Sequence, residues 1–325
     1  MNAPTPTVKR ALLRDMMRIR MVELEIARLY GEQEMRCPTH LCVGQEAPPV
    51  GVSRHLRRGD LVFSAHRSHG HYLARGGDLK AMMAELYGRQ TGCASGKGGS
   101  QNLVDLAVGF MGSVPILAST ISVAVGAALG TTMRGEDRIV VSYFGDAAVE
   151  EGIFHETMNY ASVEKLPVLF VCENNLYGVQ SALDVRQFAG RRIVDIAAAH
   201  AVPATSGDGN DIDEVWRLAG AAIAAIRGGG WPAMLELATY RWLEHCGPND
   251  DTAIGYRSAA ELESWRDRCP VARCRDALLA EGGLTKADFA AMERDIAAEM
   301  DAAVAFARNS PFPPPDALAS HVFPG

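Results

Sequence analysis

A chain of 325 residues, 48% hydrophobic and with a net charge of −7, can build one large α/β domain or two small ones around a substantial core. The acidic balance excludes a general nucleic-acid role, and no apolar run is long enough to cross a bilayer. Seven cysteines, with Cys37/Cys42 and Cys269/Cys274 each five apart, miss the usual zinc-knuckle spacing and read as reduced thiols. Met1–Tyr30 has no apolar h-region and mixes Glu23 and Glu25 with its arginines. Neither a secretory signal nor a transit peptide is expected, and the expected location is cytoplasmic.

In chain order, Leu12, Leu13, Met16, Met17, Ile19 and Leu24 recur at helical spacing and predict a helix over 8–30. Gln45–Leu56 and Leu79–Tyr87 also read as helices. Ser119–Thr132 is small and apolar on every side, which predicts a buried helix. Arg138–Phe144 and Pro167–Cys172 are almost wholly apolar, as parallel strands covered on both faces must be. The helix Glu151–Ser162 lies between them. Helices are expected at Ile212–Ile226, Ala259–Arg266 and Lys286–Arg308, and a further strand at Ala233–Ala238. Alternating strands and helices predict a doubly wound, mainly parallel α/β sheet with helical N- and C-terminal extensions. Val179–Ile193 and Leu243–Arg257 are long, polar and poorly periodic, so they are expected to be functional loops, mobile without a ligand.

Ligands of a parallel sheet bind beyond the carboxyl ends of its strands. Asp146 sits at one such end, in Gly145-Asp146-Ala147-Ala148. Asn175 and Tyr177 sit just past the next, in Glu173-Asn174-Asn175-Leu176-Tyr177-Gly178. Singly, Asp146 could cap a helix and Asn175 could end a strand. Together, 29 residues apart, they bring a carboxylate and an amide oxygen to one crevice. With a main-chain oxygen near Tyr177 they offer hard oxygen ligands that suit Mg²⁺.

On these runs the sequence resembles the alpha subunit of the thiamine-diphosphate-dependent first component of 2-oxo acid dehydrogenase complexes. The matching segments are Gly44-Gln45-Glu46-Ala47, His66-Arg67-Ser68-His69-Gly70, Gly96-Lys97-Gly98-Gly99-Ser100, Leu166 to Gly178, and Thr239-Tyr240-Arg241. The resemblance implies a single thiamine-diphosphate-binding unit over 1–325: a helical segment 1–60, a diphosphate- and Mg²⁺-binding core 61–245, and a loop-and-helix segment 246–325. It implies Asp146, Asn175 and the Tyr177 carbonyl as metal ligands. His66, Arg67, Ile116, Leu117, Gly145, Ala147, Ala148 and His245 would line the cofactor, and His245 and His69 are the candidate catalytic residues. It also implies a beta chain that carries the activating glutamate, in an assembly of two alpha and two beta chains acting on a 2-oxo acid, with a lipoyl carrier as the usual acceptor.

The sequence departs from that family at Ala147, at Pro115-Ile116-Leu117-Ala118, at Gln101-Asn102 and at His245-Cys246, where a serine is usual after the histidine. These departures predict weak transfer to lipoyl carriers. They keep two alternatives open: a two-chain carboligase forming an acyloin, and a cofactor-holding subunit without turnover. A Walker loop at Gly96-Lys97 fails because Thr91 replaces its first glycine and Gly98 its Ser/Thr. A nicotinamide fingerprint is also missing. A second Gly-Asp-Gly, Gly207-Asp208-Gly209, lacks a partner asparagine and reads as a turn.

Overall fold

The computed structural model describes residues 3–229 and 231–320. Helix α1 (Pro6–Tyr30) starts where the Thr5 hydroxyl accepts from the Val8 N–H, with Pro6 at its first position. Its predicted stripe is buried except for Leu24, which stands on the exposed side. Then come α2 (Ala47–Ser53), strand β1 (Leu61–Ser64), α3 (His69–Ala74), α4 (Leu79–Leu86), β2 (Phe110–Ser113), α5 (Ser119–Met133), β3 (Val140–Gly145), α6 (Gly152–Val163) and β4 (Val168–Asn174). A two-residue hairpin, β5 (Tyr177–Gly178) with β6 (Ser181–Ala182), leads into α7 (Leu183–Arg186) and α8 (Ile193–Ala199). The chain closes with β7 (Ala204–Asp208), α9 (Ile212–Gly229), β8 (Ala233–Ala238), α10 (Ala259–Arg266), α11 (Pro270–Ala280) and α12 (Lys286–Asn309).

The main sheet runs β2-β1-β3-β4-β8-β7 with every pair parallel. Alternate residues of one strand serve opposite layers. Val141, Tyr143, Leu169 and Val171 pack with residues of α1, α2, α4, α9 and α12. Val140, Phe144, Val168 and Phe170 pack with residues of α5, α6 and α8. Helices on both faces make this the expected doubly wound α/β fold.

Several expectations are corrected. β1, β2, β7 and α11 were not anticipated. β1 is only four residues long, β2 contains Gly112, and β7 is a polar edge strand with no apolar run. Gly207 and Asp208 finish β7, and only Gly209 and Asn210 form the turn. α2 is shorter than Gln45–Leu56 because the turn before it is held separately: Gln45 N–H donates to Cys42 O, and Gly44 N–H to the Glu46 carboxylate. α5 is not buried all round. Ile121, Ala124 and Ala128 face the core, but Val123 and Met133 are 56% and 79% exposed.

The glycine-rich run turns out to wrap an internal carboxylate. Glu85, buried at the end of α4, accepts N–H bonds from Ala94, Gly96, Gly98 and Gly99 at 2.7–3.0 Å. Gly96 and Gly99 have φ of +75° and +60°, and a Cβ on Gly96 would meet backbone at 2.7 Å. Replacing Glu85 by Ala leaves these donors without a partner. At about 1–3 kcal/mol per unsatisfied buried group, Glu85→Ala is expected to cost at least about 3 kcal/mol, read as a lower urea midpoint. An unchanged midpoint refutes this role.

Candidate active site

From β1 the chain moves out to β2 and returns to β3 on the other side of β1, so the strand order reverses between β1 and β3. A crevice forms at such a point. A cavity of about 410 Å³ lies there, within the range of small-molecule sites. His66 and Arg67 follow β1, Asp146 follows β3, Asn175 and Tyr177 follow β4, and His245 follows β8. All six line the cavity, together with Leu117, Gly145, Ala147 and Ala148.

Two predicted residues do not. Ile116 faces solvent at 67% exposure. His69 is wholly buried, with Nδ1 2.5 Å from Glu23 and Nε2 2.8 Å from the Ser100 hydroxyl. The other Glu23 oxygen accepts the Cys42 N–H. His69 therefore braces the loop around residue 42 and does not reach the cavity, which corrects its reading as a catalytic group.

Asp146 is buried. Its Oδ1 accepts the Asn175 N–H at 3.3 Å, so one carboxylate ties the ends of β3 and β4 together. Its Oδ2 is paired with Arg186. Burial pushes the Asp146 carboxyl above its ordinary pKa, against the pull of Arg186 and the backbone N–H groups. The Asn175 amide oxygen accepts the Tyr177 N–H at 3.2 Å, and the Tyr177 hydroxyl donates to Glu261 at 2.7 Å. Leu176 and Val179, on either side of Tyr177-Gly178, have φ of +71° and +57°. For a β-branched valine this is an unfavourable conformation, held in place because Val179 O accepts from Arg241 at 2.8 Å. Ala147 keeps a negative φ, so its methyl is accommodated.

Arg67 is buried. It donates to Leu41 O at 2.6 Å and to His245 O at 3.2 Å, clamping an early loop to a late one. Burial, with Arg241 nearby, pushes its pKa down to about 10. Beside it the His40 ring meets those of His66 and His245 edge to face, with centroids 4.5 and 4.9 Å apart, and the His66 and His245 rings lie tilted to each other at 5.4 Å. Burial first, and Arg67 second, lowers their pKa values to about 2, 4 and 3. The His245 loop is pinned by a buried network in which Asp251 meets Arg241, Arg257 and Tyr256.

Sequence reasoning missed His40, Gln45, Glu173 and Arg186, all of which line the cavity. Gln45 lies inside the quoted run Gly44-Gln45-Glu46-Ala47 but was given no role there, and His40, four residues before the run, stands alone. Arg186 lies in a segment without periodicity. Glu173 read as the first residue past its strand, whereas it lies within β4, with its carboxylate 3.2 Å from His71 Nε2. The Gln45 side-chain amide is buried with no protein partner, which suits a site waiting for a polar ligand.

Residues 14–316 match the model of the dehydrogenase E1 component family. The chain is similar to the alpha subunit of acetoin:2,6-dichlorophenolindophenol oxidoreductase from Bacillus subtilis, 36% identical over 95% of this chain and 91% of that one. The counterpart from Cupriavidus necator is 35% identical over 99% and 97%. The pyruvate dehydrogenase E1 component subunit alpha of Rickettsia typhi is 32% identical over 95% and 94%. The chain belongs to the dehydrogenase E1 component family. Its near full-length likeness to alpha subunits makes it an alpha-type member, as the resemblance implied.

The histidine cluster makes stability depend on pH. In the unfolded chain each histidine takes up a proton below about pH 6.5, whereas in the fold these three stay neutral to about 4 or lower. The unfolded state binds more protons in that window, so stability falls as pH drops from 6.5 towards 4. The loss between pH 7 and pH 5, measured by urea unfolding, is expected to shrink in His40→Asn. An equal loss in both proteins overturns the assignment.

Proposed function

We propose that this chain is the thiamine-diphosphate- and Mg²⁺-binding alpha subunit of a two-chain enzyme that decarboxylates a 2-oxo acid. The observation that carries the reading is that Asp146, Asn175 and Tyr177 line one cavity together with His66, Arg67 and His245, so that two side-chain oxygens and the Tyr177 carbonyl are candidate hard donors there. These donors fit Mg²⁺, and a buried cation such as Arg67 favours a diphosphate beside it. Bound thiamine diphosphate supplies a nucleophilic carbon and an electron sink for carbonyl chemistry.

The chain's own residues bind and orient. Asp146 and Asn175 hold the metal on the ends of two rigid strands. His66 and His245 are neutral imidazoles, able to donate to phosphate or substrate oxygen without carrying charge into a buried site. Arg67 holds their loops in register through Leu41 and His245. Arg186 stands on the carboxylate that the metal needs, so Mg²⁺ entry requires its guanidinium to swing away. The wall Pro115–Leu117 is open to solvent and continues into the exposed face of α5. That supports a beta chain closing the cavity there and contributing the activating glutamate, in an assembly of two alpha and two beta chains. A cytoplasmic location accords with this reading, and among the described residues no helix is long and apolar enough to cross a membrane.

A second reading concerns the acceptor. Gln101 lines the cavity and bonds His40, where the family pattern has another residue, and two similar chains are named for acetoin. We therefore favour acyloin chemistry, with a hydroxyketone as substrate or product, over transfer to a lipoyl carrier.

Asp146→Ala is expected to abolish Mg²⁺-dependent thiamine-diphosphate binding in calorimetry while the circular dichroism stays native. Arg186→Gln is expected to lower the melting temperature of the metal-free chain yet tighten metal-dependent binding by about tenfold, equivalent to about 1.4 kcal/mol. Weaker binding in Arg186→Gln makes Arg186 a ligand contact instead.

The purified chain alone is expected to be inactive with cofactor and Mg²⁺. Together with its beta chain it is expected to turn over and form or consume a hydroxyketone. Acyl-lipoyl product as the dominant outcome refutes the acceptor reading. Bound cofactor without any turnover refutes the enzyme reading.

A further inference from the structure

Gln45 is only 1% exposed, and among the described residues neither its amide nitrogen nor its amide oxygen has a hydrogen-bond partner. A buried polar atom without a partner costs free energy, so native structures rarely keep one without a use for it. Here the chain keeps a whole amide in that state, on a turn fixed at several points. Gln45 N–H donates to Cys42 O, and Trp242 N–H to Val43 O. Gly44 N–H donates to the Glu46 carboxylate, which Arg20 also grips. Gly44 has a φ of +97°, and a Cβ there would meet Tyr240 O at 2.5 Å. The side chain that this turn carries lines the cavity at the strand ends.

The surroundings select the ligand. Arg67 donates to Leu41 O in the segment leading into this turn, so Gln45 and the buried cation enter the cavity from one assembly. Arg67 favours an anion there. His71, in the same cavity wall, is already engaged: Nδ1 bonds the Ser64 hydroxyl and Nε2 the Glu173 carboxylate. The Gln45 amide is free, and its two N–H donors are neutral. A neutral donor serves a phosphate oxygen without placing a second buried cation beside Arg67. Its oxygen end can accept from a water carried with the ligand. We propose that Gln45 is a diphosphate-binding residue, donating from its amide to a phosphate oxygen at the Arg67 end of the cavity. This inference rests on the thiamine-diphosphate reading above and adds a contact to it.

The test titrates inorganic pyrophosphate, and separately thiamine diphosphate, into the full chain with Mg²⁺ by calorimetry. Gln45→Leu is expected to weaken both affinities by about 10- to 100-fold, the range for a lost hydrogen bond to a charged group. It is also expected to raise the urea midpoint of the ligand-free chain, because two orphaned polar atoms are removed. A merely structural amide would not give opposite signs for affinity and stability. Gln45→Glu keeps the shape but offers only acceptors once ionised, and is expected to weaken both affinities more than Gln45→Leu does. It decides the question if Gln45→Leu does not fold. Wild-type affinity for pyrophosphate in the folded variants overturns the inference and leaves the diphosphate reading intact. A loss confined to thiamine diphosphate would put the amide against the thiamine part and overturn the inference equally. A lower urea midpoint in Gln45→Leu would make the amide a structural group, with the same result. Failure of the wild-type chain to bind either probe would remove the reading and the inference together.

Discussion

The site depends on a buried positive charge. Arg67 is held by two carbonyl oxygens, Leu41 O and His245 O, rather than by a carboxylate. Removing a cation from water is expensive unless it is paired and fully hydrogen-bonded. Burial depresses the pKa of Arg67, which is the mark of that cost. A fold that keeps such a charge next to a cavity has a field that an anion can satisfy. Burial first, and this charge second, keeps the surrounding histidines neutral, so Arg67 contributes both to the polarity of the pocket and to the protonation state of its rim.

The two long polar segments are linked through a second arginine. Arg241, at the end of β8, donates to Val179 O in one segment and to Leu243 O and Asp251 in the other. The strained turn that carries Tyr177 is thus anchored to the loop that presents His245. Both segments meet at one fully buried guanidinium, which joins the Asp146–Tyr177 end of the cavity to the histidine end.

The sheet centre was legible because β3, β4 and β8 are largely apolar, and Asp146 and Asn175 were legible because they directly follow two of them. β1, β2 and β7 were not. They are short, glycine-containing or polar, and their stability comes from neighbours to which they pair, which no local pattern reveals. His40 and Arg186 were invisible for a related reason: each is a single residue whose meaning comes from distant contacts. His69 was misread in the opposite direction. Its place in a histidine-rich run suggested chemistry, whereas Glu23, 46 residues earlier, turns it into a brace.

The glycine-rich run looked like a phosphate loop and failed the motif test, yet it does bind an anion. Its turned-in amides enclose Glu85, an anion carried on the same chain. A tethered ligand acts at a very high local concentration compared with any free phosphate. A nucleotide could enter this nest only by expelling a carboxylate that cannot diffuse away. The loop has the chemistry of a phosphate binder and is occupied from within, so it serves as a knot that fastens α4 to the segment behind the cavity.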